Sequence, residues 1–209
     1  MSEARRLTTQ GLERKTQLID AAAELFAERG YDETRIVDIV ERAGVAKGLF
    51  YWYFENKEAL FRDLVLENRL SLRRAQAEAM DATAEPLRRI RQGTEASVLH
   101  MSSNARFFSL IEVESLDERF ADVRRQGTEI YVADVSAIVA EGIADGTIRD
   151  EDPVLLGFGV VGAVGYFSQF HRSGRVALDA PELAAFVGRH VVCSLAADEE
   201  IARRVLTPG

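Results

Sequence analysis

Cysteine, proline, lysine and tryptophan are all scarce in this chain of 209 residues. A single cysteine, Cys193, excludes an internal disulfide framework and any Cys-rich zinc site. The three histidines, His100, His171 and His190, have no metal-type spacing, so no metal is expected. No nucleophile turn accompanies a Ser/His/Asp set, so no catalytic residues are expected. Nothing at the N-terminus joins a basic stretch to an apolar one, so no secretory signal is expected and a reducing cytoplasm is the expected location. The uncharged run Val154 to Phe170 falls one residue short of the roughly 18 that mark a membrane-spanning candidate. It reads as a buried helix, and no membrane partner is expected. Alternating strand patterns are also missing.

What is present is an ordinary globular balance, 47% hydrophobic and 29% charged with net charge −8, which excludes a mainly disordered chain. The net charge does not decide for or against DNA, because local placement of cations does. The three lysines, Lys15, Lys47 and Lys57, all fall in the first sixty residues.

Helical periodicity runs through the chain, predicting an all-α fold of about nine helices. Ile19, Ala22, Ala23 and Phe26 form one apolar stripe between Glu13 and Arg29, and Gly30 ends that helix. Thr34 is the expected N-cap of a second helix, without a capping box, because Val37 stands three residues on. Gly44 stops this helix, and a third short one spans about Ala46 to Phe54. A long helix follows from Lys57 to about Met80. Pro86, Pro153 and Pro181 sit where first-turn prolines are tolerated, Asp152 is an N-cap candidate, and Asp179 with Glu182 resembles a capping box.

Two short helices around Ala43-Gly44-Val45 form a helix-turn-helix. Its second helix is dense in aromatics. Phe50 and Phe54 are expected to face inward, with Tyr51, Trp52 and Tyr53 fanning over the other sides. A tyrosine there offers its O–H to a phosphate, and Lys57 offers its ammonium and the free N–H groups of a helix start.

The set Thr34, Ile39, Ala43-Gly44-Val45, Gly48, Tyr51, Tyr53-Phe54, Lys57 and Leu60 resembles the DNA-binding signature of TetR-family transcriptional regulators, over roughly residues 13–65. The resemblance implies a head of residues 1–56 that binds operator DNA and a remainder, 57–209, that binds a ligand and dimerises. It implies DNA contacts at Thr34, Arg35, Ala46, Lys47, Gly48, Leu49, Tyr51, Trp52, Tyr53 and Lys57. Leu49 departs from the Thr or Ser that the family often has. It cannot hydrogen-bond, so it meets a thymine methyl or the helix sits differently. Arg5, Arg6, Arg14 and Lys15 form either an arm near DNA or a solvated tail.

The resemblance further implies a homodimer whose last two long helices build a four-helix bundle, with Gly162, Gly165, Phe186, Val187, His190 and Val191 at the interface. It implies a pocket for a small, largely apolar effector that releases a repressor from its operator. Phe107, Phe108, Ile111, Phe158, Val161, Phe167 and Phe170 are the expected apolar lining, with His100, Asn104 and His171 as polar groups. Two alternatives remain open. Gly157, Gly159 and Gly162 satisfy the G-x-G-x-x-G spacing of an NAD(P)-binding enzyme, although no preceding strand is evident. A helical protein–protein adaptor is the other. No cofactor is expected on the main reading.

Overall fold

The computed structural model describes residues 9–114 and 118–207. Among the described residues, ten α-helices follow one another: α1 Thr9–Arg29, α2 Ile36–Arg42, α3 Lys47–Tyr53, α4 Lys57–Ala79, α5 Pro86–Ser103, α6 Ala105–Glu114, α7 Ala121–Ala144, α8 Pro153–Arg172, α9 Ala180–Leu195 and α10 Glu199–Leu206. A 3₁₀ turn, Glu118–Phe120, precedes α7, and no strand occurs among the described residues. The fold is all-α with one helix more than the sequence pattern suggests. The short α10 lacks a proline or glycine start. Its amphipathic turn begins at Asp198, whose carboxylate accepts from the Ile201 N–H.

Local chemistry sets the helix boundaries. Pro86, Pro153 and Pro181 occupy first turns, where no intrahelical donor is lost. Asp152 accepts from Val154 and Leu155 N–H, and Asp179 with Glu182 forms the expected reciprocal box. One boundary differs. Arg35, not Thr34, caps α2, and its N–H donates to the Asp38 carboxylate at 3.0 Å. Arginine has no acceptor, so only the reach-back half of a capping box forms.

Two cores divide the molecule. The first joins α1–α3 to Leu60, Phe61, Leu64 and Val65 of α4, and continues into Leu110 and Phe120. The second is built by α5 and α7–α10, with Val98, Val139, Val164, Leu183 and Val187 at its centre. The long α4 therefore belongs to the head at its N-terminal end and leaves it further on.

α8 is not the buried helix its composition predicts. Leu155 is 69%, Phe158 50% and Tyr166 65% exposed, all on one outward face with Gly159 and Gly162. It is long and apolar enough to cross a membrane by length and composition. Of its glycines, only Gly157 allows close packing inside the protomer, where a Cβ would strike Ser136 Oγ on α7. At Gly159, Gly162 and Gly165 a Cβ would meet nothing within 4 Å. The three fingerprint glycines lie inside α8, so they form no strand-to-helix turn for a pyrophosphate.

Candidate nucleic-acid interface and effector cavity

The turn between α2 and α3 is a Schellman closure. Val45 N–H bonds to Val40 O at 3.0 Å and Gly44 N–H to Glu41 O at 3.2 Å. Gly44 takes φ +65°, which a residue with Cβ resists. Val45 tucks against the first core. Phe50 and Phe54 are buried, with ring centroids 5.6 Å apart, and anchor α3 by its inner side. This leaves Ala46, Lys47, Gly48, Tyr51 and Trp52 exposed, with Leu49 and Tyr53 half-buried. Among the described residues, Lys47 makes no ion pair or hydrogen bond. Trp52 and Tyr53 stand edge-to-face at 4.5 Å, which fixes the outer aromatic pair.

α2 is braced on α1 by Arg42, whose guanidinium reaches Glu24 at 2.9 Å and Glu28 at 3.0 Å. These hydrogen bonds raise the Arg42 pKa, and the Arg42 bond lowers that of Glu28. At the start of α2 the exposed Arg35 forks onto Asp38, at 2.9 and 3.2 Å. Those side-chain bonds, and then the Arg35 N–H, bring the Asp38 carboxyl down to about 2.

Two expected DNA contacts are corrected. Thr34 is fully buried, and its hydroxyl donates to Gly30 O at 2.8 Å. Its side chain closes the α1–α2 loop and cannot face a duplex. Lys57 does not offer a free ammonium either. Its Nζ donates to Tyr31 O at 2.6 Å and Thr34 O at 2.8 Å, and lies 4.2 Å from the Tyr31 ring centroid. Asn56 caps α4 by accepting from Ala59 N–H. Of the basic groups near the N-terminus, Lys15 pairs with Asp63 at 2.6 Å and Arg14 bonds Gln17, while Arg5 and Arg6 lie outside the described residues.

A cavity of about 470 Å³ lies along α4, walled by α6, α7 and α8. α4 and α7 run side by side in the same direction, pinned by Arg62–Asp122 at 2.7 Å and Arg73–Asp134 at 3.0 Å. At 1.5 Å per residue, the wall from Phe61 to Gln76 extends about 22 Å. Its head end is apolar, with Phe61, Phe107, Ile111 and Phe120, and its far end carries Gln76 and Tyr131. Arg69 also lines it, and burial lowers the guanidinium pKa. A Cβ at Gly127 of α7 would collide with that guanidinium.

Of the residues expected to line a pocket, Phe107, Phe108, Ile111 and Val161 do so, and Gly165, expected at an interface, joins them. The others do not. Phe158 turns outward. Phe167 faces α9, 5.4 Å from Phe186 and 5.6 Å from His190. Phe170 pairs with Tyr166 at 5.8 Å. His100 and His171 line a separate open depression, and Asn104 donates to His100 O at the end of α5. The cause is helical rotation: Val161 and Gly165 share one side of α8, while the flanking aromatics are carried around it. The α4 and α7 walls were missed, because Gln76 and Tyr131 lie far apart in the chain and no local pattern joins them.

Val187 and Val191, expected at a subunit interface, point into the second core at 0% and 1% exposure. Gly162, Phe186 and His190 are exposed, and the Phe186 and His190 rings stack within 9° of parallel.

The head edge of the cavity touches the helix-turn-helix through four rings. Phe61 and Phe120 are 4.3 Å apart, and Tyr31 lies 5.2 and 5.1 Å from them respectively. Phe26 closes the group at 5.2 Å from Tyr31. Arg119 reaches Asp32 at 3.0 Å on the other side of the same loop.

A helix-turn-helix head carried on an all-α body defines a DNA-binding regulator. The family model for bacterial regulatory proteins of the tetR family matches residues 18–64. The chain is 31% identical over 150 residues to the HTH-type transcriptional repressor KstR2 of Rhodococcus jostii, covering 69% of this chain and 72% of that protein. It is 31% identical over 143 residues to the fatty acid metabolism regulator protein of Bacillus subtilis, covering 64% and 70% respectively. The crystal structure of the transcriptional regulator FadR from Bacillus subtilis in complex with stearoyl-CoA superposes with a TM-score of 0.74 at 24% identity, covering 86% of this chain and 98% of that one. The chain belongs to the TetR family of bacterial regulatory proteins, and it is a DNA-binding transcriptional regulator.

Proposed function

We propose that this protein is a homodimeric repressor released from its operator by an elongated, largely apolar effector, without catalytic activity and working in the cytoplasm. The head, residues 1–56, binds DNA, and residues 57–209 sense the effector and dimerise. Lys47 and Tyr51 are the leading contacts of α3, supported by Arg35, Ala46, Gly48, Leu49, Trp52 and Tyr53. Two copies of α3 enter major grooves about 34–36 Å apart or a multiple of that. The outward face of α8, with Phe186 and His190 of α9, meets its counterpart in a second copy.

The single observation that carries effector release is the shared wall of rings. Phe61 and Phe120 border the cavity and also contact Tyr31, whose loop leads into α2. An effector that fills the head end displaces these rings, and α4 then shifts the head. Only a difference in effector affinity between the two head positions drives the change. Relatives named for fatty acid metabolism support a lipid-like ligand.

Fluorescence anisotropy on the DNA upstream of the protein's own gene tests this. A palindromic fragment is bound at a stoichiometry of two chains per site or a multiple. A saturating cavity ligand lowers the affinity, and equal affinity with and without it rejects effector release.

A further inference from the structure

Resting on α3 as the helix that enters the major groove, the chemistry of its outward side narrows the sequence it reads. Helix residues three and four apart are neighbours. Lys47 and Tyr51 therefore share one strip of α3, Leu49 and Trp52 share another, and Gly48 lies between. The Leu49–Trp52 strip is apolar. Among the described residues neither side chain joins a core, although Val45 and Tyr53 nearby pack against the first. Trp52 is 50% exposed and stands edge-to-face against the Tyr53 ring. A Cβ at Gly48 would meet nothing within 4 Å, so packing inside the chain does not call for glycine there. A bare position between the strips lets both come close to base edges.

In the major groove, the amino groups of cytosine and adenine need an acceptor, guanine needs donors, and thymine offers its 5-methyl group to an apolar contact. α3 has no carboxylate and no side-chain amide. At the start of α2, Arg35 only donates, and it already holds the Asp38 carboxylate. What remains is the donors of Lys47 and Trp52, the tyrosine hydroxyls and the apolar strip. We propose that α3 reads its half-site chiefly through thymine 5-methyl groups received by Leu49 and Trp52. A cytosine in such a place lacks the methyl and presents an amino group that no acceptor on the strip receives.

Selection from a pool of randomised DNA duplexes with the full-length protein supplies the half-site. Fluorescence anisotropy then compares the selected duplex with the same duplex carrying deoxyuridine for thymine, which loses the methyl and keeps the pairing. The selected half-sites share thymines at fixed positions. Wild-type affinity falls about fourfold for each buried methyl removed, the worth of one apolar carbon. Leu49→Ala and Trp52→Ala each lose part of that difference, and the double variant binds the two duplexes alike. Lys47→Ala weakens both and keeps their ratio. If the double variant loses its cooperative melting transition, the single variants decide. Equal wild-type affinities overturn the methyl readout, while selective binding keeps the regulator reading. A difference that persists in full in the variants belongs to duplex shape and overturns the readout as well. If no sequence is enriched, the role of α3 in reading DNA falls and the proposal with it.

Discussion

The ammonium of Lys57 lies 2.6 Å from the carbonyl oxygen of Tyr31 and 4.2 Å from the centroid of the same residue's ring. One side chain at the start of α4 thus holds both the backbone and the aromatic face of the α1–α2 loop. A second bond to Thr34 O brings it to the entry of the helix-turn-helix. Lys57 is a clamp between the start of α4 and the α1–α2 loop, where sequence alone suggests a hand extended to phosphate.

Lys57→Ala is therefore expected to loosen the head. Loss of the charge-assisted bonds to the Tyr31, Asp32 and Thr34 carbonyls costs roughly 1–3 kcal/mol, read from urea unfolding. DNA affinity falls, but the slope of log affinity against log salt stays as in the wild type, because no phosphate contact is lost. A flatter slope would return Lys57 to the duplex.

Lys47→Ala is expected to do the reverse. Its side chain is exposed and unpaired among the described residues, so stability is unchanged. The salt slope flattens by about one for a lost phosphate contact. If Lys47 reaches guanine O6 and N7, discrimination against the wrong base also drops by about 1–3 kcal/mol. Comparing operator and random DNA across a salt series separates the two outcomes.

Asp38 sets an acid limit on the head. Its folded pKa, about 2, lies below the ordinary 3.8, so its contribution is fully present above the unfolded value. That contribution is lost as pH falls from near 4 toward 2, as the carboxylate binds a proton and releases Arg35. Asp38→Asn removes this segment of the stability–pH curve, measured by thermal melting in a buffer series. An unchanged curve would contradict the Arg35 fork.

Glycines on α8 are expected to separate by face. Gly157→Val overpacks the contact with Ser136 and Val132 on α7, costing about 1–3 kcal/mol. Gly162→Ala meets open space, gains up to about 1 kcal/mol of helix propensity within a protomer, and tests the proposed subunit contact. Melting temperature and sedimentation together report both. A loss of folding in Gly162→Ala would show that this face is already covered.

Much of the fold was legible because its signals are local. First-turn prolines, the Asp179–Glu182 box and Gly44 mark boundaries by chemistry within four residues. The inward Phe50 and Phe54 likewise follow from helical spacing. The position of the Lys57 ammonium is not legible, because its partners are carbonyls 23 and 26 residues earlier, which no periodicity reveals. Thr34 misled for a related reason: a threonine before a helix favours capping, yet Asp38 supplied the reach-back bond and left Thr34 to the loop. The aromatic run of α8 suggests pocket lining from sequence alone, because composition does not say which side of a helix faces a neighbour. Only packing assigned Val161 inward, Phe167 toward α9 and Phe158 to solvent.

The wetted side of α8 also bears on gene dosage. Under the proposed pairing, Leu155, Phe158 and Tyr166 leave water only when a second copy arrives, so mass action sets how much of the regulator is paired. Halving synthesis would then remove more than half of the working pairs. A promoter under such control would respond to modest changes in expression more sharply than in proportion.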